Sequence, residues 1–140
     1  TGTVRTYSKA AHEAMPKLIE RIAVHTAAAL GAEAELTDYT VAHGAVVNDE
    51  RASARCRQAI VEVLGEEAVG RYRGTLSGED FSRYLELVPG VLAFVGTRNP
   101  ALGATFAQHS CFYKVDESVL AKGAMLCAQY AVDFLAEHVK

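Results

Sequence analysis

Residues 77–116 read SGEDFSRYLELVPGVLAFVGTRNPALGATFAQHSCFYKVD, and this stretch decides how the chain is expected to fold. Its apolar run at 91–95 lies between a Pro-Gly pair and a further Gly. A run this short between such breakers is typical of a buried central strand. A loop rich in turn residues follows the run and ends at His109. We therefore expect a strand that delivers a loop, and a loop that presents one imidazole.

The composition is that of a globular protein with 50% hydrophobic and 22% charged residues among 140. A net charge of −3 without a local Lys/Arg cluster argues against a nucleic-acid partner. We see no apolar run near the roughly 20 residues of a membrane span, so no membrane partner is expected. Three cysteines without a C-x-x-C spacing indicate reduced thiols. With no signal peptide, a cytoplasmic location is expected.

Helix and strand patterns alternate along the chain. Apolar residues at helical spacing predict helices over 9–30, 50–64 and 117–138, and a shorter one that starts at Ser77 or Gly78. Alternation and β-branched residues predict strands over 1–7, 33–41, 69–76 and 91–95. The alternation predicts the α/β class. Because residues 1–7 look like the middle of a strand, we expect the chain to be a piece of something longer.

Local signals also predict where the helices begin and end. Ser8, Asn48 or Asp49, and Asp116 are the expected N-caps, because their side-chain oxygens can accept from helix amides. Gly31 is expected to end the first helix, and Pro16 to kink it or mark its effective start. A domain boundary is expected between residues 43 and 47, where a predicted strand ends before a capped helix.

His109 is the main candidate for chemistry, because a neutral imidazole at the end of a loop is a natural metal ligand or acid–base group. His43 lies in a turn at the expected boundary and is a further candidate for binding. The other histidines are expected to be solvated side chains: His12, His25 and His138.

Two adjacent carboxylates follow Gly78, at Glu79 and Asp80. Adjacent helix residues point about 100° apart, so these two side chains cannot both face one site. Electrostatic stabilisation of a helix N-terminus is the simpler interpretation. Cys111 could add a second ligand two residues after His109, although a small buried hydrophobic side chain is its simpler role.

Several motifs, in order, resemble the C-terminal part of the M20 metallopeptidases, in the amidohydrolase branch that includes hippurate hydrolase and N-acyl-amino-acid hydrolases. They are TGTVRTYS at 1–8, VND at 47–49, SGEDF at 77–81, VPG at 88–90, and HS at 109–110 followed by Phe112 and Asp116-Glu117. Gln108 and Cys111 differ from the family's Leu and Pro at those positions, which bears on substrate preference.

The resemblance implies a two-domain enzyme. Residues 1–46 would be the last strand–helix–strand of a ferredoxin-like lid that dimerises, and residues 47–140 the closing segment of the α/β catalytic domain. His109 would ligate one of two divalent ions, such as Zn²⁺ or Mn²⁺. The residues Gly78, Glu79, Asp80 and His43 would contact substrate or support the ligands. The family's catalytic base and remaining ligands would lie upstream, so no catalytic residue is expected in this chain.

The expected function is therefore that of a metal-dependent amidohydrolase, whose activated water cleaves the amide bond of N-acyl amino acids or small peptides. The piece alone is expected to be inactive, and the complete enzyme to be a homo-oligomer. The alternative is a non-catalytic α/β module for interaction or dimerisation.

Overall fold

The structure is a computed structural model that describes residues 1–41 and 44–138. Its α-helices are α1 Lys9–Ala29, α2 Glu50–Leu64, α3 Phe81–Leu85 and α4 Leu120–His138. Short 3₁₀ turns lie at Glu66–Ala68, Pro100–Leu102 and Glu117–Val119. The helix predictions for 9–30, 50–64 and 117–138 are thus confirmed within a few residues, and the shorter helix begins at Phe81.

The ends of α1 are set by local hydrogen bonds. The Ser8 hydroxyl accepts from the Ala11 amide at 3.3 Å, as expected of an N-cap. At the other end Gly31 has φ +70°, and the amides of Gly31 and Ala32 donate to the carbonyls of Ala28 and Ala27 at 3.1 and 2.9 Å. These two bonds form a Schellman motif, which satisfies carbonyls left without helical partners. Pro16 lies inside the helix without ending it.

Helix α2 is N-capped by Asp49, whose Oδ1 accepts from the Ala52 amide at 2.8 Å, and is followed by the C-cap Gly65, where φ is +90°. The helix packs against α4. Ala52 and Ala59 are buried to 4% and 1% exposure on α2. The buried residues of α2 are thus small alanines, which allow α2 and α4 to pack closely.

The α2–α4 contact is flanked by polar pairs. Arg55 forms an ion pair with Glu137 and lies over the rings of Tyr130 and Phe134, 5.8 and 5.2 Å from their centroids. At the other end of the contact, Gln129 donates to Glu62 at 3.3 Å. Arg55, in the first half of α2, pairs with Glu137 near the end of α4, and Glu62, near the end of α2, pairs with Gln129 in the middle of α4, so the two helices run antiparallel.

The stretch Glu117–His138 has 22 residues and contains an 18-residue window with a mean hydropathy of 1.3, so by length and composition alone it is able to cross a membrane. This finding corrects the expectation that no apolar run approaches the length of a membrane span. The expectation overlooked how few charged residues interrupt the Ala-rich helix. Core helices have the same composition, and one face of α4 packs on α2. The absence of a membrane partner stays a prediction.

None of the four predicted strands is formed among residues 1–41 and 44–138, so the α/β class is not confirmed and the described part is mainly helical. A strand exists only through ladder hydrogen bonds to a neighbour, and an extended segment without one is not stable alone. In the run 91–95, both backbone groups of Leu92 bond to the side chain of Asn48 instead. Phe94 and Val95 are exposed to 56% and 43%, so the expected burial of this run was wrong.

The chain divides into two compact units. The first comprises residues 1–47 and 74–88, and the second comprises residues 48–73 and 89–140. Their assignment to a lid and a catalytic segment, with the predicted boundary between residues 46 and 47, stays a prediction, and the ferredoxin-like lid is not confirmed. Residues 74–88, predicted to belong with 47–140, group with the first unit.

Little of the described chain is buried. The buried residues within it are Ala52, Ala59, Ala104 and Ser82. Large apolar side chains are exposed along the helices, for example Ile22 at 60% on α1 and Val132 at 59% on α4. A domain of this length normally buries well over half of its unfolded surface. The helices thus leave apolar faces available to further polypeptide.

Candidate functional site

The loop that follows the run 91–95 begins with a small hairpin. Asn99 and Ala104 exchange two backbone hydrogen bonds, with N–O distances of 2.9 and 3.0 Å. Pro100 starts a 3₁₀ turn between them, and the Asn99 Oδ1 accepts from the Ala101 amide at 3.1 Å. Gly103 completes the reversal at φ +71°, a conformation that favours glycine. Asn99 therefore fixes this hairpin with both its backbone and its side chain.

The same asparagine joins the two ends of the longer loop. Its Nδ2 donates to Asp116 Oδ2 at 2.8 Å, and the Asp116 amide donates to the Thr97 carbonyl at 3.0 Å. The Asp116 Oδ1 accepts from the amide and hydroxyl of Ser118 at 3.0 and 2.6 Å, which confirms its predicted N-cap role. The hydrogen bond from Asn99, followed by those from Ser118, holds the pKa of the Asp116 carboxyl below its ordinary value.

His109 lies at a tight turn inside that closed loop. The Ser110 amide donates to the Ala107 carbonyl at 3.3 Å, which makes His109 the third residue of a four-residue turn. Its φ of +68° is the one positive value at a non-glycine position in the described ranges. A turn with a positive φ at its third residue has the type II pattern, which ordinarily takes Gly or Asn. The chain therefore holds a histidine where sterics disfavour one.

Two aromatic rings meet beside this turn. Phe106 and Phe112 lie three residues on either side of His109, with ring centroids 5.4 Å apart and planes inclined at 43°. A second turn, in which the Tyr113 amide donates to the Ser110 carbonyl at 3.0 Å, brings Phe112 back toward Phe106. Both rings are more than half exposed. They form an apolar surface next to the histidine.

The His109 side chain is exposed and makes no hydrogen bond or ion pair to any other residue that the structure describes. Both imidazole nitrogens are thus open to solvent, so the residue suits a Zn²⁺ or Mn²⁺ ligand. Within the described ranges, no group of three His, Cys, Asp or Glu side chains could hold a metal ion. Cys111 is exposed rather than buried, contrary to its simpler expected role.

The other predicted site residues lie elsewhere. Gly78, Glu79 and Asp80 are exposed and belong to the first unit, whereas His109 belongs to the second. The Glu79 Oε1 accepts from the Phe81 amide at 3.2 Å, and its carbonyl accepts from the buried Ser82 hydroxyl at 3.0 Å. Glu79 therefore serves the start of α3, as the simpler interpretation predicted. His43 lies outside the described residues.

Of the three histidines expected to be solvated, His25 and His138 are exposed, whereas His12 is partly buried. The His12 Nε2 is buried and has no hydrogen-bond partner among the residues that are described. His138 stacks on Phe134, with ring centroids 4.2 Å apart, and its Nδ1 lies 2.7 Å from the Phe134 carbonyl. Asn99 was not among the predicted site residues, although an Asn before a Pro is a signal for a turn.

The loop therefore presents an exposed imidazole, without a hydrogen-bond partner among the described residues, at the centre of a closed chain segment. Comparison with known proteins identifies the family of the chain. The chain matches the family described as Peptidase family M20/M25/M40 over residues 4–133. The chain belongs to this family.

Relatives with established names extend the comparison. The chain is 29% identical over 133 residues to thermostable carboxypeptidase 1 of Saccharolobus solfataricus, covering 95% of this chain and 33% of the relative. It is 30% identical over 135 residues to the N-acetylcysteine deacetylase of Bacillus subtilis, covering 94% and 32%. It is 24% identical over 137 residues to IAA-amino acid hydrolase ILR1-like 6 of Arabidopsis thaliana, covering 96% and 30%. The chain spans about a third of the length of these curated relatives.

Proposed function

We propose that this chain is the C-terminal part of a metal-dependent amidohydrolase of the M20 family. The observation that carries the proposal is the family match, which runs through nearly the whole chain at residues 4–133. Relatives that cover most of the chain include ones named as a carboxypeptidase, an N-acetylcysteine deacetylase and an IAA-amino acid hydrolase. Each of these names denotes cleavage of a bond to an amino acid or peptide.

His109 supplies one metal ligand in this proposal. Its imidazole is exposed and makes no hydrogen bond within the described chain, so no contact has to be broken before it binds an ion. The bound pair of Zn²⁺ or Mn²⁺ ions would supply a water activated for attack on the amide carbonyl. The neutral imidazole holds one ion through one ring nitrogen, and an acceptor on the other nitrogen would fix its tautomer.

A stable divalent site takes three or four ligands, and this chain offers His109. The remaining ligands and the general base therefore come from the part of the family architecture that the match leaves uncovered, about two thirds of the relatives' length. The exposed apolar side chains of α1 and α4 support this, because they would be covered by that further polypeptide. The 140-residue chain alone is expected to be inactive.

The substrate class is N-acyl amino acids or small peptides. The names of the relatives support this class, since one is an IAA-amino acid hydrolase and another an N-acetylcysteine deacetylase. The complete enzyme is expected to be cytoplasmic and homo-oligomeric.

A second candidate function is a non-catalytic interaction or dimerisation module. The observation that favours it is an open, apolar groove of about 520 Å³ on α1, lined by Ile19, Ile22, Ala23, Thr26, Ala27 and Leu30. Leu30 and Ile22 in this groove are 81% and 60% exposed. Under this second candidate function, the exposed apolar face would be the surface that contacts another protein chain.

Hydrolysis of N-acetyl amino acids by the product of the full reading frame, with added Mn²⁺ or Zn²⁺, tests the main proposal. We expect activity that chelation removes, and that His109→Asn and His109→Gly reduce by at least about 100-fold, since second-sphere changes to a metal site already cost 10–100-fold. Both substitutions suit the positive φ, so a loss reports the ligand and not the turn. Full activity in both variants would show that His109 is no ligand.

The second candidate is tested on the same protein. Under that function the full reading frame has no metal-dependent hydrolysis, and Ile22→Lys converts a dimer to a monomer in light scattering. The interaction or dimerisation module would be excluded if the full-length protein hydrolyses the substrates and Ile22→Lys leaves its molar mass in solution unchanged.

A further inference from the structure

Two polar side chains join the ends of the loop that carries His109. The Asn99 Nδ2 donates to Asp116 Oδ2 at 2.8 Å across 17 residues of chain, and His109 lies between them in sequence. The backbone repeats the connection, since the Asp116 amide donates to the Thr97 carbonyl at 3.0 Å. The ends of the loop are thus fixed to each other by one side-chain bond and one backbone bond.

Every other polar atom of the pair also has a defined partner. The Asn99 Oδ1 accepts from the Ala101 amide at 3.1 Å, which sets the Asn99 amide so that its nitrogen faces Asp116. The Asp116 Oδ1 accepts from the amide and hydroxyl of Ser118. Because each oxygen is already committed, neither side chain can rotate without losing a second hydrogen bond.

The conformation at the centre of the loop needs such support. A φ of +68° at His109 is disfavoured for a residue with a Cβ and persists only where the surrounding chain imposes it. The turns around it contribute few bonds: the Ser110 amide donates to the Ala107 carbonyl at 3.3 Å, and in the second turn the Phe112 amide donates to the Ser110 hydroxyl at 3.2 Å and the Tyr113 amide to the Ser110 carbonyl at 3.0 Å. The Phe106–Phe112 contact closes the loop near its tip, but both rings are largely exposed.

We propose that Asn99 and Asp116 are positioning residues for His109, a closing pair that fixes the ends of the loop and thereby holds the imidazole in its strained turn. The pair does not touch the metal and acts through the backbone of residues 97–116. As a positioning role for a ligand, the inference rests on the proposed function of His109. The effect on the loop itself does not depend on a metal.

The hydrogen bond can be broken and then rebuilt in reverse. Asp116→Asn keeps an oxygen for Ser118 but sets an amide nitrogen against the Asn99 nitrogen, so the bond is lost. Asn99→Asp keeps an oxygen for Ala101 but sets a carboxylate against Asp116. In the double variant the donor and acceptor exchange places, and every partner is satisfied again. Gln58→Glu, at an exposed polar pair with Glu62 on α2, is the matched control for a change of charge.

Backbone ¹⁵N relaxation of the 140-residue chain measures the outcome. In the wild type we expect order parameters near about 0.85 at residues 106–112, falling below about 0.6 in each single variant and recovering in the double variant. Hydrogen exchange at the Asp116 amide should speed up by about fivefold in the single variants, the change expected from loss of one ordinary hydrogen bond. The control should leave both measurements unchanged.

Single variants that keep the loop ordered, or a double variant that fails to restore it, would overturn the positioning role. A failure of His109 as a metal ligand would leave these order parameters as they are, and appears only in the hydrolysis of the His109 variants. In the active full-length enzyme the single variants should raise the Zn²⁺ concentration for half-maximal activity by about 10-fold or more, with rescue in the double variant. The inference would also be overturned if the single variants loosen the loop but leave the Zn²⁺ concentration for half-maximal activity unchanged.

Discussion

The side chain of Asn48 makes two hydrogen bonds to the backbone of one distant residue, Leu92. Its Nδ2 donates to the Leu92 carbonyl at 3.0 Å, and its Oδ1 accepts from the Leu92 amide at 2.9 Å. Next to it, the Asp49 amide donates to the Gly90 carbonyl at 2.9 Å. The residues before α2 thus occupy the position that a neighbouring strand would take beside the run 91–95.

Removing this connection should destabilise the second unit. Asn48→Ala loses two hydrogen bonds of ordinary strength, so we expect the free energy of unfolding to fall by about 1–2 kcal/mol in urea titrations. Asn48→Asp should cost at least as much, because a carboxylate cannot donate to the Leu92 carbonyl. The control is Gln58→Ala, which removes an exposed helical pair and should change stability by less than about 0.5 kcal/mol. Equal effects of Asn48→Ala and the control would contradict this account.

Gly31 should resist substitution for a purely conformational reason. A Cβ added there would meet nothing within 4 Å, but φ is +70°, so Gly31→Ala carries only backbone strain. We expect a loss of about 1 kcal/mol in stability. Gly70 is the matched control, since a Cβ there also meets nothing within 4 Å and its φ is not positive. Gly70→Ala should be neutral or slightly stabilising, and a similar loss at both sites would show that strain is not the cause.

Ala59 should not accept a larger side chain. It is 1% exposed on α2, so Ala59→Leu would force the helix apart from its neighbours and cost about 1–3 kcal/mol. Ala54 lies on the same helix and is exposed, so Ala54→Leu is expected to change stability by less than about 0.5 kcal/mol. Urea titrations of both variants make the comparison. If Ala59→Leu were as mild as Ala54→Leu, the described packing of α2 would be wrong.

An element of the fold could be predicted from the sequence where the residues that determine it lie close together along the chain. Helix α1 follows from Ser8 and Gly31 with the apolar spacing between them, because caps and periodicity act within a few residues. The run 91–95 has the composition of a strand, but a strand is defined by a partner that lies elsewhere in the chain. In the described ranges Asn48 takes the partner's place. No local pattern contains that pairing.

In the candidate site, too, the features with local signals could be predicted and the long-range contacts could not. The sequence singled out His109 by its loop and its resemblance, and the structure gives it an exposed imidazole in a closed loop, while its role as a ligand stays a prediction. The Asn99–Asp116 bond spans 17 residues and leaves no periodic trace, so only its separate parts were visible, an Asn before a Pro and an N-cap. The positive φ of His109 is set by the turn and cannot be read from the sequence, since a positive φ is uncommon at any residue other than glycine.

Asp116 should give the chain a defined response to acid. The hydrogen bond from Asn99 lowers the pKa of the folded carboxyl, so the stability it contributes is complete above the unfolded pKa of about 4. That stability is lost as the pH falls through the folded pKa. Asn99→Ala removes the main cause, and ¹³C NMR should then show Asp116 titrating at higher pH than in the wild type. The hydrogen bond from Arg55 lowers the pKa of Glu137 in the same way, so Arg55→Ala is the control that should move Glu137 and leave Asp116 in place. An Asp116 pKa indifferent to Asn99→Ala would contradict the assignment.

The strained turn at His109 predicts an unusual order of stabilities among its variants. His109→Ala keeps the Cβ and therefore the strain at φ +68°, whereas His109→Gly relieves it, so the Gly variant should exceed the Ala variant by about 1 kcal/mol in free energy of unfolding. His109→Asn should fall between them, because Asn tolerates this region better than Ala. At the neighbouring Gln108, whose φ is not positive, the order should reverse, and Gly should be less stable than Ala by about 0.5–1 kcal/mol. Urea titrations of the two pairs decide the point, and a more stable Ala variant at His109 would show that the turn holds no strain.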